Sequence, residues 1–183
     1  MVDALQASQY AKNTYVVLWS DHGFHLGEKN HWAKRTLWEE STRVPLLISG
    51  PEIFNDVPCK QSVRLIDIYT QLVDVCGIPK NKNLEGLSLV PQLEDPRTVR
   101  EKPAITSSYF GNHAIRSRDW RLIVYENGEE ELYDHRNDPE EFQNLADNPQ
   151  YETIKNRLRR WLPEQVAAEF KKKSERNRLL DKK

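Results

Sequence analysis

The sequence predicts an α/β fold: strand, polar loop, strand and helix of an α/β sheet, then a small antiparallel sheet with a C-terminal helix. Three observations predict it. Two apolar runs at 14–19 and 44–50, rich in β-branched and aromatic residues, bracket a long polar stretch. Residues 64–76 carry apolar side chains at helical spacing. Past residue 103 the pattern changes to short strands around an Asn127-Gly128 turn, followed by a second amphipathic helix.

Taken in order, residues 1–10 place Val2 and Leu5 among small residues in a weak helical pattern, the end of an element that begins earlier. The run Thr14-Tyr15-Val16-Val17-Leu18-Trp19 suits a strand buried on both faces, as in a helix-covered parallel sheet. A second buried strand is expected at 44–50, with Pro45 near its first residue, where a missing N–H is tolerated. In the helix at 64–76, Leu65, Ile68, Tyr69, Leu72, Val73 and Cys76 share one face. Gly77 and Pro79 stop it. Residues 80–103 are irregular, and a boundary there divides the chain into 1–95, part of a larger α/β domain, and 96–183, a small α+β subdomain. In the second part strands are expected at 104–106, 114–116, 120–125 and 131–134, a turn at 138–141, and a helix at 151–160 with Ile154, Leu158, Trp161 and Leu162 on one side. Residues 171–183 form a charged, frayed tail.

The chain has 183 residues, room for one ordinary domain or part of a large one with an appendage. Its 27 basic and 28 acidic side chains leave a net charge of -1, which excludes a uniform pull toward nucleic acid or anionic membrane. A hydrophobic content of 38% with ample Trp, Tyr and Leu excludes disorder. No apolar run approaches the roughly 20 residues of a membrane span. Residues 1–6 have neither the basic nor the apolar region of a signal peptide. Cys59 and Cys76 are not in a C-x-x-C arrangement and are expected to be unpaired.

In α/β sheets, ligand sites gather at loops past the carboxyl ends of strands. The loop after Ser20 is such a place. Asp21 and His22 offer a carboxylate and an imidazole, and Gly23 lets the backbone bend so that both face one ion. The alternative is a solvated Asp-His pair in a wet loop. A zinc site of Asp21, His22, His25 and His31 is complete in number. A calcium-like ion takes about 6 to 8 ligands, so most of its shell would come from elsewhere. Nearby His25, Glu28, Lys29, His31, Trp32, Lys34 and Arg35 place charged and aromatic side chains beside the strand end, a polar pocket able to receive an anion. Glu28, Glu39 and Glu40 are expected to set the loop through hydrogen bonds and ion pairs, and Trp32 and Trp38 to pack.

The stretch Trp19-Ser20-Asp21-His22-Gly23-Phe24-His25-Leu26-Gly27-Glu28, continued by His31-Trp32-Ala33-Lys34-Arg35-Thr36-Leu37-Trp38-Glu39-Glu40-Ser41-Thr42-Arg43-Val44-Pro45-Leu46, resembles the second-half motif of sulfatases in the alkaline-phosphatase-like superfamily. It is most similar to bacterial enzymes of the iduronate-2-sulfatase type. The likeness continues through Leu65-Ile66-Asp67-Ile68-Tyr69, Glu85-Gly86-Leu87-Ser88-Leu89, Ile115-Arg116-Ser117, Trp120-Arg121-Leu122-Ile123 and the stretch from Leu132-Tyr133-Asp134 to Asn144-Leu145-Ala146.

The resemblance implies an α/β fold that is the C-terminal part of an alkaline-phosphatase-like sheet domain, and hydrolysis of sulfate esters of a small molecule or saccharide. By it, Asp21 and His22 are ligands of a divalent metal, usually calcium, and Lys34 contacts the sulfate. His25, His31 and His113 are candidates for contacts to the alcohol part or for loop-holding hydrogen bonds. The family's formylglycine nucleophile arises from Cys or Ser in a C-x-P-x-R or S-x-P-x-R motif, which neither Cys59 nor Cys76 begins. The nucleophile and other catalytic groups are then expected in an N-terminal half, and this chain alone is expected to be inactive. Unpaired strand edges near Val16 and Leu47 favour association with that half or with another copy. The family's habit implies periplasm, lysosome or exterior. A phosphoric or phosphonic ester hydrolase of the same superfamily, or a non-catalytic binding or assembly module, are the alternative readings.

Overall fold

The computed structural model describes residues 1–53 and 57–166. The charged tail at 171–183 lies outside the described residues. Strand β1 (Val16–Trp19) pairs antiparallel with β2 (Leu46–Ser49), Val16 opposite Ser49 and Trp19 opposite Leu46. The expectation of buried, parallel-type strands is corrected here. The two form an antiparallel ribbon with Leu18 and Trp19 59% and 51% exposed, and Leu47 is exposed too. Their apolar composition is that of a doubly covered strand, but a two-stranded ribbon leaves faces that no described element covers.

Short helix α1 (Val2–Gln6) precedes β1 and buries nothing. Between β1 and β2 lie the polar loop and a single helical turn, α2 (Glu39–Thr42). Helix α3 (Ile66–Val75) ends in a Schellman cap: Ile78 N–H donates to Val73 O (2.9 Å) and Gly77 N–H to Asp74 O (3.2 Å), with Gly77 at φ +62°. Its buried face differs from the expected one. Ile68 and Val73 are buried as predicted, whereas Leu65, Tyr69 and Cys76 are exposed. Asp67 and Gln71, one helical turn apart, are buried instead. Asp67 accepts from Arg64 N (2.8 Å), Leu87 N (2.8 Å) and Arg100 Nη2 (2.5 Å); Gln71 Oε1 accepts from Leu89 N (2.7 Å). The helix packs on an irregular segment, whose backbone donors need acceptors more than apolar cover. That segment, expected to lack structure, contains the short helix α4 (Val90–Glu94).

The second sheet runs in sequence order, β3 (Ala104–Ser108), β4 (Asn112–Arg116), β5 (Trp120–Val124) and β6 (Glu130–Asp134), all antiparallel. The predicted strands and the turn containing Asn127-Gly128 are all present. Alternation sorts its side chains into two faces. Ile115, Trp120, Leu122 and Leu132 form one core with Ala146 and Leu158 of α5 (Glu152–Arg159); Ile154, Trp161 and Leu162 pack against it, as the helix pattern predicted. Ala114, Ile123 and Tyr133 form the other core with Leu37, from the polar loop. The sheet thus grips the loop that follows β1.

Candidate functional site

The loop leaves β1 at Ser20 and doubles back as a narrow hairpin, with His25 N–H donating to Ala33 O (2.9 Å) and Gly27 N–H to His31 O (3.0 Å). Gly23 anchors its base by donating to Ser41 O (3.0 Å). A Cβ on Gly23 would lie 1.8 Å from Glu40 O, so glycine is required by close approach of two backbones rather than by the flexible bend expected from sequence.

This hairpin brings Asp21, His22 and Lys34 together. His22 Nδ1 lies 2.8 Å from Gly23 O, which only accepts, so Nδ1 carries the proton and Nε2 offers its lone pair outward. Lys34 Nζ donates to that Nε2 at 2.6 Å, and Asp21 Oδ2 lies 3.7 Å from the same nitrogen. Asp21 and Lys34 are exposed and His22 partly so, and all three line one wide cleft. The donor chemistry suits a divalent cation: an imidazole nitrogen whose tautomer is set by a backbone carbonyl, beside an exposed carboxylate. Two ligands fill only part of a calcium-like shell.

The other histidines fall elsewhere. His25 is fully buried, its Nε2 2.8 Å from Thr36 Oγ1, and it packs edge-to-face on His31 and Trp38 at 5.0 and 5.8 Å between ring centroids. With His25 in the hairpin's interior and His31 packed edge-on against it, the four-ligand zinc arrangement does not form. His113 sits in β4, buried beside Ser107 Oγ (2.8 Å). Burial pulls its pKa below the usual histidine value. Trp38 packs as expected and donates to Glu131 Oε2 (2.6 Å), whereas Trp32 is 72% exposed. Both cysteines are free and exposed.

Beneath the loop lies a buried cluster of charge. Arg121 projects from β5 toward it and is 1% exposed. Its Nη1 donates to Leu37 O (2.8 Å), its Nε to Glu141 Oε1 (2.5 Å), and its Nη2 to Glu39. Arg116 also donates to both oxygens of Glu39, at 3.1 and 3.2 Å. Glu141 accepts from Glu39 N (2.9 Å) and from His135 Nε2 (2.8 Å). Two guanidiniums balance two carboxylates. Burial alone would raise the Glu39 pKa, but Arg116 and Arg121 overcome it and bring it from the ordinary 4.5 down to about 2. Glu39, His135 and Glu141 could geometrically hold a metal, yet the carboxylates are already taken by guanidinium. A metal there would leave Arg121 buried without a partner.

Glu39 therefore makes the ion pairs expected of it. Glu28 takes the Leu26 N–H (2.6 Å), and Glu40 has a buried oxygen without a partner among the described residues, its pKa raised by that burial. Arg121 and Glu141 were missed. The available signal was a lone charge on the inward side of the apolar run Trp120-Arg121-Leu122-Ile123-Val124.

Residues 27–168 match the family model for the C-terminal region of N-sulphoglucosamine sulphohydrolase. A sulfatase of Formosa agariphila is 39% identical over 163 residues, covering 89% of this chain and 32% of that protein. The solved structure of BT4656 with its substrate D-glucosamine-2-N,6-O-disulfate superposes with a TM-score of 0.72 at 29% identity, covering 88% of this chain and 35% of that one. The phosphonate monoester hydrolase of Agrobacterium radiobacter shares the fold at a TM-score of 0.66 and 24% identity, covering 84% of this chain and 35% of that one. The chain spans about a third of the length of the curated relatives it matches. Among the described residues no helix is long and apolar enough to cross a membrane. The fold is that of the C-terminal part of alkaline-phosphatase-like sulfatases, and the chain belongs to the sulfatase family with the N-sulphoglucosamine sulphohydrolase type of C-terminal region.

Proposed function

We propose that this chain supplies the metal-binding and sulfate-binding part of a sulfatase that hydrolyses sulfate esters of a sugar. The observation that carries the reading is the convergence of Asp21, His22 and Lys34 at the exit of β1. Asp21 and His22 would hold a divalent cation, calcium in this family's habit, and that ion when bound polarises the sulfate oxygens. Lys34, beside them, would donate to a nonbridging oxygen of the ester. The hairpin and the Arg121 cluster hold these groups before substrate arrives, so no reorganisation is needed as charge develops. The formylglycine nucleophile and the remaining metal ligands belong to an N-terminal portion, with which the exposed β1–β2 ribbon associates. This chain by itself is inactive, and the division near residue 95 separates the site-bearing part from the sheet that supports it.

Calcium titration by calorimetry on the chain together with its N-terminal portion tests this. Asp21→Ala is expected to lower calcium affinity by about 10- to 100-fold, the usual cost of damaging a metal site. Unchanged affinity would remove the enzyme reading and leave a binding or assembly module. The fold shared with a phosphonate monoester hydrolase supports phosphonate ester cleavage as the second reading, since the same clamp suits that anion. Turnover of aryl sulfate against aryl phosphonate separates the two.

A further inference from the structure

The sequence places Lys29 among the charges expected to receive an anion. In the structure it lies outside the cleft that Lys34 lines, as do Trp38, Glu131 and Tyr133. Its ammonium sits 4.7 Å from the centroid of the Trp38 ring and 4.6 Å from that of Tyr133, and it donates to Tyr133 Oη at 3.1 Å across 104 positions of chain. Ring faces attract cations, most strongly where water is displaced. The rings are themselves pinned: Glu131 Oε2 accepts from Trp38 Nε1 and from Tyr133 Oη, both at 2.6 Å. Tyr125 Oη donates to the other oxygen at 2.9 Å. A carboxylate of β6 thus orients both rings that meet the ammonium.

Lys29 lies at the turn of the hairpin, and its backbone there is unfavourable. Lys29 and Asn30 follow one another in the left-handed conformation, at φ +51° and +56°, although neither is glycine. Such residues persist where surrounding contacts impose them, and the reach of Lys29 to the sheet is a contact of that kind. The base of the hairpin is held separately, by Gly23 N–H on Ser41 O and by Arg121 on Leu37 O. Lys34 lies on the returning strand between the two anchorages, its Nζ 2.6 Å from His22 Nε2. A hairpin fastened at its base alone is free to pivot there, and the pivot would carry Lys34 with it.

We propose that Lys29 is a positioning residue for Lys34: by latching the turn of the hairpin to β6, it fixes where the Lys34 ammonium meets the ester. This rests on the reading that Lys34 donates to the scissile sulfate. A displacement of about 1 Å at such a donor costs up to roughly 100-fold in rate, so a latch remote from the chemistry governs turnover.

The test compares the parent, Lys29→Met, Lys29→Arg and Lys34→Ala in the chain assembled with its N-terminal portion. Aryl sulfate turnover and amide hydrogen exchange are measured below the melting temperature. Methionine keeps an apolar stem and loses the cation, arginine keeps a cation over the rings, and both carry the Cβ that lysine carries in the left-handed conformation. In Lys29→Met the Gly27 N–H, which donates to His31 O, should exchange about tenfold faster. Its kcat should fall about tenfold with KM within about twofold of the parent, because a misplaced donor is felt in the transition state. Lys29→Arg should recover at least about a third of the parent kcat. A latch that serves stability alone would speed exchange and lower Tm without moving kcat of the folded protein. Parent kcat in Lys29→Met, or equal losses in Lys29→Met and Lys29→Arg, overturns the proposal when Lys34→Ala is impaired. Lys34→Ala turning over like the parent overturns the sulfate-binding reading, and the proposal with it.

Discussion

Replacing Arg121 by methionine removes the cation that two buried carboxylates share. Glu39 is 7% exposed and Glu141 not at all, so neither can turn to water for solvation. Breaking a buried ion pair from one side costs about 3–5 kcal/mol. Arg116 stays on Glu39 and His135 on Glu141, which places the expected loss near the lower end, about 3 kcal/mol. For a chain of this size each kcal/mol lowers Tm by roughly 2–4 °C, so the midpoint should fall by about 10 °C. The effect has a pH signature. With its pKa lowered from 4.5 on folding, Glu39 contributes stability in full above pH 4.5, and that contribution disappears as pH falls toward 2. Arg121→Met should therefore flatten the fall in stability between those values. Glu141→Leu added to Arg121→Met should recover part of the loss, because Glu141 goes with its partner while Glu39 keeps Arg116. Calorimetric melts at neutral pH and near pH 3 provide the measurement. A midpoint within about 2 °C of the parent at neutral pH would show that the cluster is not a buried charge network, and the account of how the loop is held would fail.

Two further outcomes rest on the same packing. Gly23→Ala places a methyl 1.8 Å from the Glu40 carbonyl and should destabilise by about 1–3 kcal/mol in urea unfolding; a neutral result would mean that the base of the hairpin is free to move. Burial, with Glu131 close by, pushes the Tyr125 and Tyr133 phenols well above 10, so an absorbance titration of the seven tyrosines should show two that stay protonated after the others ionise. The stability tied to these two phenols is complete below pH 10 and declines above it, and Glu131→Gln should bring their titration down toward the rest.

The order of elements was legible because local signals carry it. Alternation in 120–134, the Asn127-Gly128 turn, the α5 stripe and the Gly77 stop each depend on residues a few positions apart. Asp21, His22 and Lys34 were singled out by the resemblance of their loop to the sulfatase motif, and their closeness in space follows from one hairpin, in which His22 and Lys34 are 12 positions apart. Which histidines would be buried was not legible. His22 and His25 are alike in local composition, and only the seating of Thr36, His31 and Trp38 around His25 turns that ring inward.

By itself, then, the sequence determined the four-stranded sheet and the helices α3 and α5, since these depend on short-range periodicity, and the family motif pointed to the metal and sulfate candidates. Tertiary structure alone decided that α3 buries Asp67 and Gln71, that the β1–β2 ribbon has open faces, and that Arg121 meets Glu39 across 82 positions. Those outcomes depend on which surfaces meet, and the free energy of burying a charge or an apolar face is settled by the partner that arrives there, which no local pattern specifies.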